Sequence, residues 1–503
     1  MKKIIKYLFL LTGGSFILAS CNDFLDREPL DSVTPDNFFF TENDLAAYAV
    51  KHYNFTTHEG FNAGIWKNDN ATDNQAATDY DKKWIPGQWK VPEAYDNPAS
   101  NDPWYFSTIR EANYFLETVV PRFEKGEIEG SETNIKHYIG EMYFLRAKNY
   151  LSKLETFGDF PIIKNTLPDE SESLIQASKR APRYKVAHFI LEDLDQAISL
   201  LTNNISGGKN RITKNAALLL KSRAALFEAS WLTYHKGTAL VPGGPGWPGK
   251  AEDIADFNID TEIAFFLKEA KAAAKEVIGN AALVQNTAKD CMDETVKTDE
   301  DKYKMSNPYF AQFSANSLEG YSEILMWRAY NLLDYKIVHS APFYIRVGGN
   351  TGFTRQYIES FLCRDGKPIY ATDQYKGDES LLNVRKNRDL RLQLFLMTPG
   401  ETLSPNVMNG TPDLLPEVPQ LLDITEKRCV TGYQVRKGLS GNWYRDGNTA
   451  IEGCPVYRAA EAYLNYIEAY YLRYNTLEDE TLENLENWEI ETTIAAIIAF
   501  HPQ

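Results

Sequence analysis

Ile139-Gly-Glu-Met-Tyr143-Phe-Leu-Arg-Ala147-Lys-Asn-Tyr150-Leu-Ser-Lys-Leu154-Glu-Thr-Phe157 is followed at once by Gly158-Asp-Phe-Pro161. Apolar side chains fall at 139, 143, 147, 150, 154 and 157, spacings of three and four that lay one stripe along an α-helix. Gly158 suits the C′ position and Pro161 cannot continue the helix, so the stretch predicts a helix ending at Phe157. The pattern recurs on both sides. Tyr184–Leu201 carries it at 187, 190, 191, 194, 197, 198 and 201. Thr213 can cap a helix running to Trp231, with its stripe at 216, 220, 224, 227 and 231. Tyr105–Thr118, Glu262–Ile278 and Val456–Leu472 follow suit. Successive amphipathic helices must stack to bury their stripes. The predicted fold is therefore mainly α, with tetratricopeptide-like helix pairs (an α-α superhelix) over about 105–278 and 456–472. Gly140-x-x-Tyr143 is a fragment of that repeat's consensus, but the full 34-residue pattern is absent, so any repeats are degenerate.

Two loop-rich regions interrupt the helices, at about 56–104 and 340–455. The second holds short strand-like runs, Phe343–Val347 and Thr431–Arg436. Irregular stretches of this length inside a compact protein are functional or disordered, and their aromatic content favours function. The 503 residues hold 53 Lys+Arg against 69 Asp+Glu, a net charge of −16. That balance argues against nucleic-acid binding, which needs a concentrated basic face. Aromatics reach 13%, enough to pack cores and to stack ligands.

Lys2, Lys3 and Lys6 precede a short apolar stretch, Tyr7–Leu18, with the shape of a secretory signal covering residues 1–20. It ends in Leu18-Ala19-Ser20-Cys21, which resembles the lipobox of bacterial lipoproteins and makes Cys21 the expected lipidation site. The remainder, 21–503, reads as one soluble body tethered to a membrane through that anchor. Cys291, Cys363, Cys429 and Cys454 show no metal spacing, and their pairing stays open.

Enzyme signatures fail. Gly244-x-Gly246-x-x-Gly249-Lys250 imitates a phosphate loop, but a helix precedes it and Pro245 and Pro248 remove two N–H donors. It reads as a rigid turn. His58-Glu59 does not extend to a zinc-protease motif, and Asp69–Asp81 lacks the glycine and terminal glutamate of a calcium loop. The sequence therefore predicts no catalytic residue, no metal and no cofactor, although a spatial pair of carboxylates is invisible in a sequence.

Trp66, Trp84, Trp89 and Trp104 fall in a stretch that also holds Asp69, Asn70, Asp73, Asn74 and Gln75. Sugar rings lie on aromatic planes while their hydroxyls bond to such polar groups. Trp104, at the head of a helical pattern, reads as an anchor, and Trp327 and Tyr330 as core. For Trp84 and Trp89, anchor and sugar platform both stand.

Motifs spread along most of the chain resemble the SusD/RagB family, lipid-anchored proteins of bacterial outer-membrane nutrient uptake. After Cys21-Asn-Asp-Phe-Leu-Asp26 come Phe39-Phe-Thr-Glu-Asn-Asp-Leu45, Trp104-Tyr-x-x-x-Ile109-Arg-x-Ala-Asn113 and Gly140-Glu-x-Tyr143-Phe-Leu-Arg146-Ala147. Arg211-Ile-Thr213, Lys221-x-Arg223, Arg388-Asp-x-Arg391-Leu392 and Tyr457-Arg458-x-Ala-Glu461-x-Tyr-Leu-Asn465 follow in the family's order. The resemblance implies helix pairs beside an irregular ligand-binding half. It implies a non-enzymatic role at the cell outer membrane, surface-exposed, capturing glycans or in some members peptides. The ligand would pass to a SusC-like TonB-dependent barrel. It also implies a ligand site before the Trp104 motif, which favours Trp84, Trp89 and Asp73, with Trp66 and Asn74 beside them. Acidic Glu478–Glu491 and Ile494–Phe500 depart from the family's ending, so a truncated or frame-shifted C-terminus is expected. The rival readings are a lipid-anchored glycoside hydrolase and a structural scaffold.

Overall fold

The computed structural model describes residues 38–58, 64–70, 72–80, 85, 104–286, 307–333, 336–399, 420–440 and 448–476, with the backbone of 402–404 and 413–414. Residues 1–20, Cys21, Trp84, Trp89, Cys291 and the tail beyond 476 lie outside them.

Among the described residues the body opens with seven helices: α1 (Glu42–Lys51), α2 (Ser107–Glu124), α3 (Glu132–Phe157), α4 (Ser171–Ala177), α5 (Arg183–Leu200), α6 (Lys214–Tyr234) and α7 (Ile259–Asn280). All but α4 stack in chain order: α3 packs on α1, α2 and α5, α5 on α6, and α6 on α7. The boundaries follow local chemistry. Thr41 closes a capping box with Asp44, and Thr213 and Asn258 accept the third helical N–H of α6 and α7. Gly158 ends α3 at φ +69°, as its missing Cβ allows.

A single stripe is not what α3 and α6 bury. Both are covered nearly all round, because each lies between neighbours on two sides. Gly140 shows how close the approach is: a Cβ there would meet the Leu200 and Leu201 side chains at 3.0–3.2 Å.

The motif residues are the links between these helices. Arg146 of α3 holds Asp193 of α5 through two 2.7 Å bonds and donates to Asn113 Oδ1 of α2 at 2.9 Å. Arg183 of α5 holds Glu228 of α6 at 2.8–3.0 Å, and Arg211 holds Glu141 of α3 at 2.6 and 2.8 Å. Lys221 of α6 reaches Asp195 of α5 and Glu269 of α7, both at 2.7 Å. The Arg146, Arg183 and Arg211 pairs are buried and recover little beyond their desolvation cost, so their effect is to fix which face meets which.

The second half is built of short pieces around a separate core containing Tyr309, Phe310, Tyr344, Leu394 and Phe395. They are α8 (Pro308–Ala311), α9 (Ala341–Val347), α10 (Arg355–Ser360), α11 (Leu381–Arg385), α12 (Leu390–Phe395) and strands β1 (Gln75–Ala77) and β3 (Thr351–Phe353), while β2 (Ile324–Arg328) puts Leu325 and Met326 into the helical core and β4 (Thr402–Ser404) pairs with β5 (Asp413–Leu414). Buried Arg388 organises the second half by donating to the carbonyls of Ile358, Phe361 and Val384 at 2.6–3.2 Å. The body resumes with β6 (Cys454–Arg458) and α13 (Ala459–Tyr474), which packs on α6 and α7.

Three sequence expectations are corrected. Phe343–Val347 is helical, since Pro342 sits in the first turn of α9 and Gly348, at φ +109°, ends it. Thr431–Arg436 makes one bridge, Val435 to Leu396, because Gly432 turns the chain at φ +84°. The helix predicted from Val456 starts at Ala459, as Val456 and Tyr457 pair with β2 instead. The Gly243–Gly249 stretch is a turn between α6 and α7, pinned by Trp247 Nε1 donating to Asp159 at 2.9 Å. Trp327 and Tyr330 are buried, and Trp104 anchors edge-on against Phe157 and Phe160 at 4.9–5.0 Å.

Candidate functional site

Where the second half meets α13, a cavity of about 450 Å³ opens. Its floor is Tyr309, Phe313 and Phe395, rings 5.6–5.8 Å apart and steeply tilted to one another. One wall is Trp66 with the ladder Phe353, Tyr357 and Phe361, spaced four residues apart at 5.0–5.2 Å. Opposite stand Val456 and Arg458 of β6 and Glu461 and Leu464 of α13.

Local pairing sets the Trp66 wall. β1 runs antiparallel to β3, with Gln75 opposite Phe353. Buried Gln75 donates to the Trp66 carbonyl at 3.0 Å and to Thr351 Oγ1 at 2.7 Å, so one amide ties the tryptophan's turn to β3. The Trp66 ring lies parallel to Tyr344 at 6.4 Å, with Lys67 Nζ 4.9 Å from its centre.

The charges around the cavity are mostly engaged. Arg391 pairs with Asp389, which also caps α12, and Arg458 pairs with Glu323. Glu461 accepts two bonds from Arg223 at 2.5 and 2.6 Å. Lys437 sits 4.4 Å over Phe313, and Arg458 4.6 Å over the same ring. Asp69 lies on the exposed rim. His58 closes the back, with its ring 4.8 Å from His339. Burial first, then His339, pushes the His58 pKa down to about 3, so its imidazole is neutral. Among the described residues, no group of three or more His, Cys, Asp or Glu is placed to hold a metal.

Of the residues singled out from the sequence, Trp66, Asp69 and Gln75 line the cavity. Asp73 and Asn74 do not: their carbonyls accept from the Thr354 hydroxyl and N–H, which fixes the start of α10. Trp84 and Trp89 lie outside the described residues. The sequence reading missed the wall from the second half. Its one readable signal is aromatic spacing of four, at 309/313 and 353/357/361, beside caps at Asn307 and Thr354.

The structure thus joins a mainly helical scaffold to an irregular half that bears an aromatic cleft. Two family models match, one described as "Starch-binding associating with outer membrane" over residues 23–226 and the "SusD family" model over 296–497. The chain belongs to the SusD/RagB family. Two SusD-like proteins of Formosa agariphila are 27% identical over 203 residues (39% of this chain, 37% of the relative) and 26% over 258 residues (50% and 45%). The matches thus span less than half of those relatives. A SusD-like protein of Bacteroides fragilis superposes with TM-score 0.59 at 20% identity, over 94% of this chain and 85% of its own. A second from that species, described as a SusD-like carbohydrate binding protein, gives 0.58 at 17% over 91% and 79%. At these identities the likeness concerns the fold. Among the described residues no helix is long and apolar enough to cross a membrane.

Proposed function

We propose that this chain is a non-catalytic glycan-capture lipoprotein of the outer membrane, held through Cys21, that binds oligosaccharide and passes it to a SusC-like TonB-dependent barrel. The observation that carries the reading is the 450 Å³ cavity at the joint, lined by rings alternating with amide and charged groups. Ring faces take sugar C–H groups and the polar edges take hydroxyls. Its family's model is described as starch-binding, which supports the same class of ligand.

Hydrolysis is disfavoured by how the carboxylates are used. A glycosidase needs one carboxyl free to deliver a proton and a second facing it. Of the two carboxylates among the described lining residues, Asp69 lies on the exposed rim and Glu461 gives both oxygens to Arg223. Calorimetric titration of a glycan panel tests the reading, with Trp66→Phe and Tyr357→Ala as variants. At least one glycan class is expected to bind without release of reducing ends, and both variants to weaken it tenfold or more. Cleavage of the bound glycan, or unchanged affinity in both variants, contradicts the reading.

A further inference from the structure

We infer that Lys437 is a specificity-determining residue of the aromatic cleft, its ammonium placed to receive a carboxylate or sulfate of the bound ligand. The inference rests on the glycan reading and narrows it to acidic glycans.

Lys437 lines the cavity, and its Nζ stands 4.4 Å from the centre of the Phe313 ring and 5.5 Å from that of Phe395. Those rings are 5.6 Å apart and inclined at 80°, so the ammonium sits over the notch between them, on the floor itself. The backbone on either side is pinned to the same core. Arg436 N–H donates to the Phe395 carbonyl at 2.7 Å, Val435 bridges Leu396, and Gly438 turns the chain at φ +90° against Ile345. A sugar ring on Trp66 or on the Phe353–Tyr357–Phe361 ladder shares one cavity with this ammonium, and no wall stands between them.

Cations recur on the rings of the cleft. Arg458 stands 4.6 Å from the Phe313 centre, Lys67 4.9 Å from that of Trp66 and Arg391 5.8 Å from that of Phe361. A ring face attracts a cation through its quadrupole and leaves its charge in place. Arg391 and Arg458 also meet Asp389 and Glu323, while the lining carboxylates are Glu461, bound by Arg223, and Asp69 on the rim. An ammonium carries three N–H donors, so a bond to the protein leaves donors for a ligand oxygen. Such a bond is stronger to an anionic oxygen than to a hydroxyl. The net charge of −16 repels polyanions, but that field is screened beyond ~8 Å at physiological salt, so the contact is local.

Two measurements test this on the chain from Asn22. In solution, oligogalacturonate is compared with its methyl ester, and a sulfated galactan with its desulfated form, which separates carboxylate from sulfate as the source. One acidic form should bind roughly tenfold or more tighter than its neutral partner, the worth of a charge-assisted hydrogen bond. Lys437→Met, which keeps a stem over the rings and removes the charge, should erase that preference. Lys437→Arg should retain it, and both variants should keep a cooperative melting transition. Acidic and neutral forms binding alike, or a preference that survives Lys437→Met, overturns the inference and leaves glycan capture standing. Should no glycan bind in any form, capture is overturned and crystals soaked in sodium selenate decide the anion site. An anomalous peak within hydrogen-bond distance of Lys437 Nζ that Lys437→Met abolishes supports it. Selenate at other positions alone, an adventitious ion only, overturns it.

Discussion

Trp66 is held from beneath by Gly349, whose φ of +59° favours glycine and whose Cβ would lie 2.4 Å from Trp66 Cη2. Gly349→Ala is expected to destabilise by about 1–3 kcal/mol and to weaken glycan binding at least tenfold, read by urea melts and titration. Intact affinity would mean that Trp66 does not set the wall. A second residue-scale prediction concerns His58. An unfolded histidine titrates near ~6.5, whereas the folded ring is pushed down to about 3, and His339 is lowered in the same direction. Between those values the unfolded chain takes up a proton that the folded one refuses. The contribution is complete above pH 6.5 and is lost as pH falls toward 3. His58→Leu should therefore flatten the loss of stability between pH 6.5 and 4.5, by up to about 1.4 kcal/mol per pH unit. Equal slopes in both proteins would show that His58 titrates normally.

Helices α3 and α5 are linked by Arg146 and Asp193, both buried. Burial outweighs the guanidinium and pushes the Asp193 carboxyl up. Arg146→Ala and Asp193→Ala should each cost about 3–5 kcal/mol, since each strands the other charge. The double variant should cost less than the two together, and additive losses in a denaturation cycle would deny the link. Elements of this kind are legible: stripes at three and four, Thr213 as a cap and Gly158 as a stop predict α5, α6 and α7 within three residues and the end of α3, whose first turns before Ile139 the stripe leaves out. The loop-rich half is not. Phe343–Val347 has the composition of a strand, and what makes it helical is Pro342 together with burial against Tyr309's core. Val456 and Tyr457 fit a helical stripe equally well, and a distant partner, β2, decides otherwise. The quoted motifs Arg146, Arg211, Arg223 and Arg458 identify the family because they hold its scaffold together, and for that reason they do not reveal its ligand.

At the scale of the molecule, two cores meet along β2–β6 and the aromatic cleft lies at the junction. Its walls come from residues near 66, 310, 357, 391 and 460, separations that only the folded chain brings together. Sequence could therefore supply Trp66 but not the ladder facing it. A ligand seated between the two cores should raise the stability of both in one transition, and the most direct measurement is a thermal-shift series on the chain from Asn22 across glycans and peptides. Ligand at tenfold over its Kd should stabilise by about 1.4 kcal/mol through mass action. The account predicts that one glycan class raises the transition and that Tyr357→Ala, while still folding cooperatively, abolishes the rise. A transition moved by peptides alone, or a glycan shift that Tyr357→Ala leaves intact, would contradict it.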